Sequence, residues 1–177
     1  MNLIVMGAAG AGKTTVGRKL ATRLGGRWRF DDADDFHPAA NVAKMAGGTP
    51  LTDADRAPWL EALRAHLAAC AARGESVVLA CSALKEAYRR RLVPGGVATQ
   101  FVYLRGDEAT LRSRLRRRQR HFMPAALLRS QLADLEEPAP GAALVVDAAR
   151  PPADAVERIL AHLKAGSGAQ AASPRAP

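Results

Sequence analysis

Five short apolar runs recur along this chain, and the segments between them carry apolar residues every three or four positions. Short runs that end at glycine or polar residues predict buried strands, and the three-to-four spacing predicts amphipathic helices. The runs occupy residues 3–6, 28–30, 77–81, 101–104 and 144–146. The helical spacing covers residues 16–24, 59–74, 84–92, 111–115, 127–135 and 156–163.

Strands that alternate with helices favour a parallel sheet covered by helices on both faces, which is an α/β fold. Such sheets bind their ligands beyond the carboxyl ends of the strands. Gly7, the acidic residues 31–35, Ser82 and Asp147 each follow a predicted strand. We therefore expect the functional site at this edge of the sheet.

The residues after the first strand, GAAGAGKT at 7–14, match the phosphate-binding pattern G-x-x-x-x-G-K-[ST]. The glycines permit backbone angles that turn N–H groups inward, and the following helix adds the positive end of its dipole. Lys13 is predicted to bridge the β- and γ-phosphates of ATP, and the Thr14 hydroxyl to bind Mg²⁺. The alternative, a glycine turn without a ligand, is disfavoured because a strand precedes the loop and a helix follows it. The predicted nucleotide-binding residues of this loop are Gly7, Ala8, Ala9, Gly10, Ala11, Gly12, Lys13, Thr14 and Thr15.

Length and composition narrow the class of nucleotide-binding protein. With 177 residues the chain has little room for the extra modules of a motor or a helicase, and it lacks the Asn-Lys-x-Asp motif of GTPases. The hydrophobic content of 48% and mean hydropathy of −0.12 indicate a globular domain rather than a disordered or membrane-spanning chain. The N-terminus lacks the charged region and the long apolar region of a signal peptide. Cys70 and Cys81 lie in apolar surroundings, which is typical of reduced, buried thiols. We expect a cytoplasmic protein that does not bind membranes.

The formal charge of +9 is unevenly distributed, since residues 85–120 hold eleven basic and three acidic side chains. Such an excess is compatible with nucleic acid, an anionic lipid surface or a small anionic substrate. Few aromatic residues interleave with the basic ones, which disfavours a nucleic-acid partner. We interpret the charge as mostly local to a site for ATP and a small anion.

The acidic residues after the second strand suit two chemical tasks. One carboxylate can hold Mg²⁺ or its waters, and another can accept the proton of an attacking hydroxyl. The alternative is an acidic cap at the start of a helix, a position where Asp is common. The cluster is expected to face the phosphate-binding loop, which favours the catalytic interpretation.

Several longer strings carry a family resemblance. They are DADDFHP at 32–38, PLTDADRAPWL at 50–60, CSALK at 81–85, RQRHFM at 118–123 and LEEP at 135–138. These strings closely resemble the gluconate kinases, and the resemblance extends from about residue 1 to residue 163. One departure is Ala33, where family members usually have glycine; its methyl group penalises a positive φ, so we expect a slightly different turn and retained activity.

The resemblance implies ATP-dependent phosphorylation of D-gluconate on its 6-hydroxyl, which gives 6-phospho-D-gluconate for the pentose phosphate or Entner–Doudoroff route. It also implies the three-layer P-loop kinase fold of shikimate and nucleoside-monophosphate kinases, with a five-stranded parallel sheet and a mobile Arg-rich lid. The kinase domain would span residues 1–164, with the lid at about 112–126 and a substrate-binding segment at about 34–70. Residues 165–177 would form a flexible tail, and the protein would be a homodimer.

By analogy, Asp34 would orient or deprotonate the hydroxyl, Asp32 would support Mg²⁺, and Lys13 and Arg118 would complete the catalytic set. The predicted substrate-binding residues are Asp34, His37, Arg56, Lys85, Arg89 and His121. The last five are cationic or proton-donating side chains suited to a carboxylate and several hydroxyls. Structural alternatives stay open: an ion pair of Arg56 with Asp53 or Asp55, a capping or packed His37, and a solvated helix face for Lys85 and Arg89.

The arginines of the predicted lid cannot all face one ligand. Arg114 and Arg118 are four residues apart and share a helix face, so we assign both to the phosphates. His121 is placed near the lid hinge or the substrate, and Arg150, after the last strand, receives a nucleotide role. The remaining arginines fit a solvated face. Two other functions stay possible: another small-molecule or nucleoside-monophosphate kinase, and a nucleic-acid-binding P-loop protein.

Overall fold

The fold is built around one parallel sheet, seen in a computed structural model that describes residues 1–117 and 126–171. The strands in these residues are β1 (Asn2–Met6), β2 (Trp28–Asp32), β3 (Ser76–Ala80), β4 (Thr99–Arg105) and β5 (Leu144–Asp147). They pair in the order β2-β3-β1-β4-β5, with every neighbouring pair parallel. The helices are α1 (Lys13–Leu24), α2 (Ala39–Ala46), α3 (Asp53–Ala72), α4 (Glu86–Leu92), α5 (Glu108–Arg117), α6 (Ala126–Asp134) and α7 (Pro152–Ala171). A 3₁₀ helix (Ala33–Phe36) follows β2. The predicted five-stranded parallel sheet is confirmed.

Both faces of the sheet are buried, as β1 shows most directly. Leu3 and Val5 belong to a core with residues of α1, α5, α6 and α7, whereas Ile4 and Met6 belong to a second core with residues of α3 and α4. All four side chains are fully buried. Successive side chains of a strand point to opposite faces, so a strand covered on both sides is a continuous apolar run. This arrangement explains why the apolar runs located the strands.

The strand register gathers three loops at one edge of the sheet. Val5 of β1 and Asp32 of β2 both pair with Ala80 of β3, so the segments that follow these strands leave the sheet at the same level. The first segment is the phosphate-binding pattern, the second the acidic cluster and the third begins at Cys81. The predicted site at the carboxyl edge of the strands is therefore assembled by the three strands on one side of the sheet.

Helix α3 begins earlier than its apolar spacing predicted. The predicted helix started at Trp59, where the apolar residues with helical spacing begin. In the structure the helix begins at Asp53 behind a capping box: Thr52 Oγ1 accepts from the Asp55 N–H, and Asp55 Oδ2 accepts from the Thr52 N–H. The helix continues through Pro58, which has no backbone N–H to donate.

Two other helices differ from the prediction. Helix α2 was not indicated, because only Asn41 and Met45 of its residues are buried and the apolar pattern is correspondingly weak. The apolar spacing of the last helix ended at residue 163, whereas helix α7 spans Pro152–Ala171. Among the described helices, none combines the length and the apolar composition that crossing a bilayer requires.

Candidate active site

A cleft of about 880 Å³, including its open mouth, lies at the carboxyl edge of the sheet. Its walls come from the loop after β1, the end of β2 and the segment behind it, the loop after β3, helix α3 and helix α6. The described residues that line it are Ala9, Gly10, Gly12, Lys13, Thr14, Asp32, Asp34, His37, Met45, Pro50, Leu51, Arg56, Trp59, Ser82, Leu84, Leu127, Ser130 and Gln131. The structure thus brings the predicted phosphate-binding loop together with Asp34, His37 and Arg56.

The loop between β1 and α1 adopts a cradle that its glycines make possible. Gly7 and Gly10 have φ angles of 139° and 85°. A Cβ atom would lie 2.7 Å from the Leu104 carbonyl oxygen at Gly7 and 2.6 Å from the Leu111 carbonyl oxygen at Gly10. Both the backbone angles and the close approach therefore require glycine.

The start of α1 suits an anion. Gly12 caps this helix without a side-chain hydrogen bond, and its first turn contains no acidic residue. Its first N–H groups therefore remain available to phosphate oxygens beside the positive end of the helix dipole. Lys13 Nζ donates to the Ala8 carbonyl at 3.1 Å, which keeps the ammonium group over the loop. Thr15 is half-buried in the same helical turn.

Thr14 and Asp32 place two kinds of oxygen side by side at the mouth of this loop. Thr14 Oγ1 donates to Asp32 Oδ2 at 2.8 Å, and Asp32 Oδ1 accepts from the Asp34 N–H at 3.2 Å. Asp32 is therefore also the cap of the 3₁₀ helix, as the capping alternative predicted. A hydroxyl beside a carboxylate is a donor set that Mg²⁺ prefers.

Ala33 does not introduce backbone strain. Its φ is not in the positive region, since Ala83 is the one non-glycine residue with a positive φ in the described part of the chain. Ala33 is fully buried in the 3₁₀ helix, and its carbonyl accepts a hydrogen bond from Trp59 Nε1 at 2.8 Å. The methyl group thus fits at this position without the penalty that the sequence suggested.

His37 lies flat against an aromatic wall of the cleft. Its ring stacks on Trp59 with centroids 4.3 Å apart and an angle of 10° between the planes. Burial, together with the positive charge of Arg56, lowers the pKa of His37 to about 4. The imidazole is therefore neutral at pH 7. The sequence predicted a cationic or proton-donating side chain here, and a neutral His37 can exchange hydrogen bonds with hydroxyls without adding charge.

Arg56 is the one arginine among the described residues that lines the cleft. Its Nη1 donates to the Tyr88 hydroxyl at 2.9 Å, and its two terminal nitrogens lie 3.6 Å from Asp53 Oδ1 and 3.2 Å from Asp134 Oδ2. Its side chain is only 13% exposed. The predicted alternative of an ion pair with Asp53 is confirmed, and the same residue still lines the cleft.

Known proteins with similar sequences and structures identify the family of this chain. A protein-family model described as an AAA domain matches residues 3–138. The chain is 46% identical over 164 residues to the gluconokinase of Gluconobacter oxydans, a match that covers 92% of this chain and 91% of that relative. The chain belongs to the gluconokinase family. It is therefore a kinase with a nucleotide-binding loop, as its sequence predicted.

Solved structures agree with this assignment. A gluconokinase from Sinorhizobium meliloti superposes with a TM-score of 0.77 at 40% identity, covering 94% of this chain and 97% of that one. A sugar kinase from Janibacter sp. gives a TM-score of 0.85 at 41% identity, covering 92% and 94%. The gluconokinase fold of this chain is thus shared with solved kinases over nearly its whole length.

Lys85 belongs to a charged cluster beside the cleft of this gluconokinase-family chain. Its Nζ lies 2.8 Å from Asp53 Oδ1 and 3.7 Å from Asp134 Oδ1, and the Tyr88 hydroxyl donates to the same Asp53 oxygen. The hydrogen bond to Asp53 raises the pKa of Lys85, so its charge persists through the neutral range. Lys85 is not among the described residues that line the cleft, although its partners also hold Arg56.

Arg89 is not among the described residues that line the cleft, and its burial contradicts the alternative of a solvated helix face. It is only 7% exposed, and Nη1 donates to the carbonyl oxygens of Ala83 and Leu84 at 3.1 and 2.9 Å. Ala83 has a φ of 43°, an uncommon conformation for a residue with a Cβ atom. Ser82 and Leu84, on either side of Ala83, line the cleft. Arg89 thus holds the loop that forms one wall of the site, because its helix places it beneath that loop.

Among the remaining predicted residues, Arg114 and Arg150 lie at the loop after β5, and Arg118 and His121 fall outside the described part of the chain. Arg114 Nη2 donates to the Ala149 carbonyl at 3.4 Å, which places it beside the loop after β5. Arg150, in that loop, is exposed and lies 3.4 Å from Asp154. Arg118 and His121 lie outside the described residues, as does the stretch 118–125 of the predicted lid.

Helix α6 supplies a wall of the cleft that sequence reasoning missed. Leu127, Ser130 and Gln131 all line the cleft, and Gln131 Oε1 accepts from the Ala9 N–H at 2.7 Å. Gln131 and Ala9 are 122 residues apart. The helical spacing of residues 127–135 predicted the helix but contained no signal for the direction of its polar face.

Proposed function

We propose that this protein transfers the γ-phosphoryl group of ATP to the 6-hydroxyl of D-gluconate and releases 6-phospho-D-gluconate and ADP. The observation that carries the proposal is the single cleft in which the phosphate-binding loop meets Asp34, His37 and Arg56. Phosphoryl transfer requires a nucleotide site and an acceptor site that open onto one another. The gluconokinase relatives name the acceptor.

The nucleotide side of the proposal rests on residues 7–15. Their backbone N–H groups and the start of α1 hold the phosphates, and Lys13 turns from the Ala8 carbonyl to the β- and γ-phosphates. Arg114 lies beside the loop after β5 and Arg150 lies within it, and both bind the nucleotide from that side. ATP is the phosphoryl donor.

Mg²⁺ is the proposed metal cofactor, and Thr14 and Asp32 are the residues that would hold it. Their oxygens lie 2.8 Å apart at the end of the phosphate-binding loop, a donor set suited to a hard cation. Bound Mg²⁺ supplies neutralisation of charge on the phosphate oxygens. Asp32 meanwhile keeps the 3₁₀ helix capped and so fixes the position of Asp34.

The acceptor side of the proposal assigns separate tasks to Asp34, His37 and Arg56. Asp34 accepts the proton of the 6-hydroxyl as the oxygen attacks the γ-phosphorus. Neutral His37, fixed by stacking on Trp59, exchanges hydrogen bonds with the polyol chain. Arg56 binds the gluconate carboxylate through two N–H groups, and this carboxylate competes with Asp134 for the guanidinium.

Other parts of the proposal extend beyond the cleft. Arg118 and His121 close over the phosphates and the acceptor as part of a lid, which excludes water from the transfer. Lys85 supports the acceptor side through its shared partners. We further propose a homodimer located in the cytoplasm that acts in gluconate catabolism without a nucleic-acid or membrane partner.

The direct test is an ADP-release assay with a panel of acceptors. The panel contains gluconate, other sugar acids, shikimate and nucleoside monophosphates, each with ATP and Mg²⁺. We expect turnover with gluconate and formation of a phosphate ester at C6, read by ³¹P and ¹³C NMR. Turnover with shikimate or a nucleotide and none with gluconate would overturn the assignment.

A matched pair of lysine variants tests the nucleotide site. Lys13→Ala removes the ammonium group over the phosphate-binding loop, and Lys19→Ala removes an exposed one from the same helix. We expect Lys13→Ala to abolish turnover with an unchanged circular dichroism spectrum, while Lys19→Ala keeps the wild-type rate. Equal activity of the two variants would contradict the proposed role of Lys13.

A further inference from the structure

A second cluster of ligand atoms lies on the other face of β2 from the Thr14–Asp32 pair. Neighbouring residues of a strand point to opposite faces, so Asp31 faces α3 while Asp32 faces α1. Asp31 Oδ2 lies 2.8 Å from His66 Nε2, which lies 3.6 Å from Cys70 Sγ. These three atoms all fall within 4.8 Å of one another. The cluster is separate from the cleft, since none of its three residues lines it.

The placement of these side chains follows from α3. His66 and Cys70 are four residues apart and share one face of the helix. That helix packs its apolar residues on the face of the sheet that Asp31 also meets. Cys70 is fully buried, the Asp31 side chain is 10% exposed and the His66 side chain 22%. A strand and a helix thus hold the cluster, and it is exposed to solvent mainly at the His66 ring.

The geometry differs from that of a cysteine nucleophile activated by histidine. In such a site the sulfur and the carboxylate contact different nitrogens of the imidazole ring. Here both approach the same nitrogen, Nε2 of His66. Three ligand atoms of different chemistry therefore lie within 4.8 Å of one another, which is close enough for them to share one bound cation.

Arg29 and Arg73 border the cluster, and each pairs with a carboxylate. Arg29 holds the other oxygen of Asp31, Oδ1, at 3.1 and 2.9 Å, which turns Oδ2 toward His66. A hydrogen bond to the non-coordinating part of a ligand commonly orients metal ligands in this way. Arg73 lies 3.2 Å from Cys70 Sγ and 2.8 Å from Glu75 Oε2. Burial and the neighbouring Glu75 carboxylate raise the pKa of the Cys70 thiol, and the charges of Arg29 and Arg73 oppose that shift without reversing it.

We propose that Asp31, His66 and Cys70 form a binding site for a thiophilic divalent cation of the Zn²⁺ class. At usual zinc bond lengths and tetrahedral angles, nitrogen and sulfur ligands lie about 3.6 Å apart and nitrogen and oxygen ligands about 3.4 Å apart. The observed nitrogen–sulfur distance already matches, and the His66–Asp31 pair needs to open by about half an ångström. A thiolate and an imidazole prefer Zn²⁺ to Mg²⁺, so this site is selective against the cation of the cleft.

Binding exchanges protons for metal. The Cys70 thiol loses its proton to solvent. The proton that His66 Nε2 donates to Asp31 is exchanged through solvent so that the ring carries its proton on Nδ1, which leaves the Nε2 lone pair and the Asp31 carboxylate oxygen available to the metal. Three protein ligands leave one position for water. The bound ion would link β2 to α3, directly behind the strand end that carries Asp32. We therefore expect it to stabilise the wall of the cleft that these elements form.

The test uses the full-length protein after removal of metals with a chelator. Zn²⁺ is titrated in competition with a chromophoric chelator, in the presence of excess Mg²⁺. Co²⁺ then serves as a spectroscopic probe, because sulfur coordination produces a thiolate-to-cobalt charge-transfer band. We expect one Zn²⁺ per chain, the charge-transfer band with Co²⁺, and a higher unfolding temperature of the Zn²⁺-loaded protein.

Matched variants decide whether this cluster is the site. Cys70→Ala and Cys81→Ala each remove one buried thiol, and His66→Gln and His162→Gln each remove one imidazole. We expect Cys70→Ala to lose the charge-transfer band and His66→Gln to weaken Zn²⁺ binding at least tenfold, while the two control variants match the wild type. His66 is half-buried rather than fully buried, so His66→Gln decides the outcome if Cys70→Ala fails to fold. The proposal is overturned if wild-type protein takes up no Zn²⁺, or if His66→Gln binds it as tightly as the wild type.

Discussion

Replacing Arg89 with alanine separates the two roles that sequence and structure give this residue. In the structure its guanidinium group donates to two backbone carbonyls of the loop after β3, and the residue is only 7% exposed. The variant leaves the Ala83 and Leu84 carbonyls without this donor. It also releases Ala83 from a positive φ of 43°. The expected result is loss of stability, with the cleft damaged only through its wall.

The magnitude follows from these contacts. The Leu84 carbonyl keeps a second donor, the Glu136 N–H at 3.0 Å, so the Ala83 carbonyl is the one affected most. A buried carbonyl left without a partner costs roughly 1–3 kcal/mol. A non-glycine residue in the left-handed region stores roughly 1–2 kcal/mol, which relaxation of the loop recovers in part. We therefore expect Arg89→Ala to lower the free energy of unfolding by about 1–2 kcal/mol. Against a total of about 5–15 kcal/mol for a domain, this is a large fraction.

Arg90 provides the matched control because it is the next residue of the same helix. Its side chain is 76% exposed and pairs with Glu86 one turn away. Exposed pairs of this kind contribute about 0.3–0.5 kcal/mol, so Arg90→Ala should stay within that range of the wild type. Urea unfolding followed by circular dichroism measures both variants. Steady-state kinetics at a temperature where each is folded completes the comparison.

The outcome distinguishes two explanations. A loop-holding Arg89 predicts a stability loss and a lower kcat, with KM for gluconate changed less than kcat. A substrate-binding Arg89 predicts the reverse: stability equal to that of Arg90→Ala and a large rise in KM for gluconate alone. That second result would refute our account of the loop.

Three further predictions concern the cleft itself. The pKa of His37 lies at about 4, below the ordinary 6.5, so its NMR signals should not titrate between pH 5.5 and 8. The stability that neutral His37 contributes is then complete above pH 6.5 and lost as the pH falls toward 4; an apparent pKa near 6.5 would contradict the burial argument. Asp34→Asn should lower kcat by roughly 10²–10⁴ with little change in nucleotide affinity, measured by ADP release and calorimetry, and an unchanged kcat would remove its role as a base. Gly10→Ala places a Cβ 2.6 Å from the Leu111 carbonyl oxygen and should lower both the unfolding temperature and ATP affinity, whereas Gly95→Ala, with open space around it, should change neither.

Several basic side chains of residues 85–120 form contacts within the protein that their charge alone did not predict. Arg89 holds a loop, Lys85 pairs with Asp53, and Arg90 and Arg112 pair with acidic residues one turn away in their own helices. These pairings use much of the positive charge within the protein. The sequence suggested that this charge is mostly local to a site for ATP and a small anion. In the described part of the stretch, these four basic residues have partners within the protein.

Features carried by contiguous residues could be predicted from the sequence alone. The phosphate-binding loop depends on backbone angles that its own glycines permit, so a stretch of eight residues determines it. The strands were recognisable because a sheet buried on both faces needs uninterrupted apolar runs. The family followed from strings of neighbouring residues in the same way. In each case the physical cause lies within the segment that shows the signal.

Only the tertiary structure decided what individual side chains face. Arg56 and Arg89 are both helical arginines near acidic groups in the sequence, yet one lines the cleft and the other supports a loop. Gln131 meets Ala9 across 122 residues, and His66 meets Asp31 across 35. Such contacts depend on how each helix is rotated and docked against the sheet. That rotation is set by burial of the apolar residues on the helix, and the polar residues on its other positions are carried along to partners that no local pattern specifies.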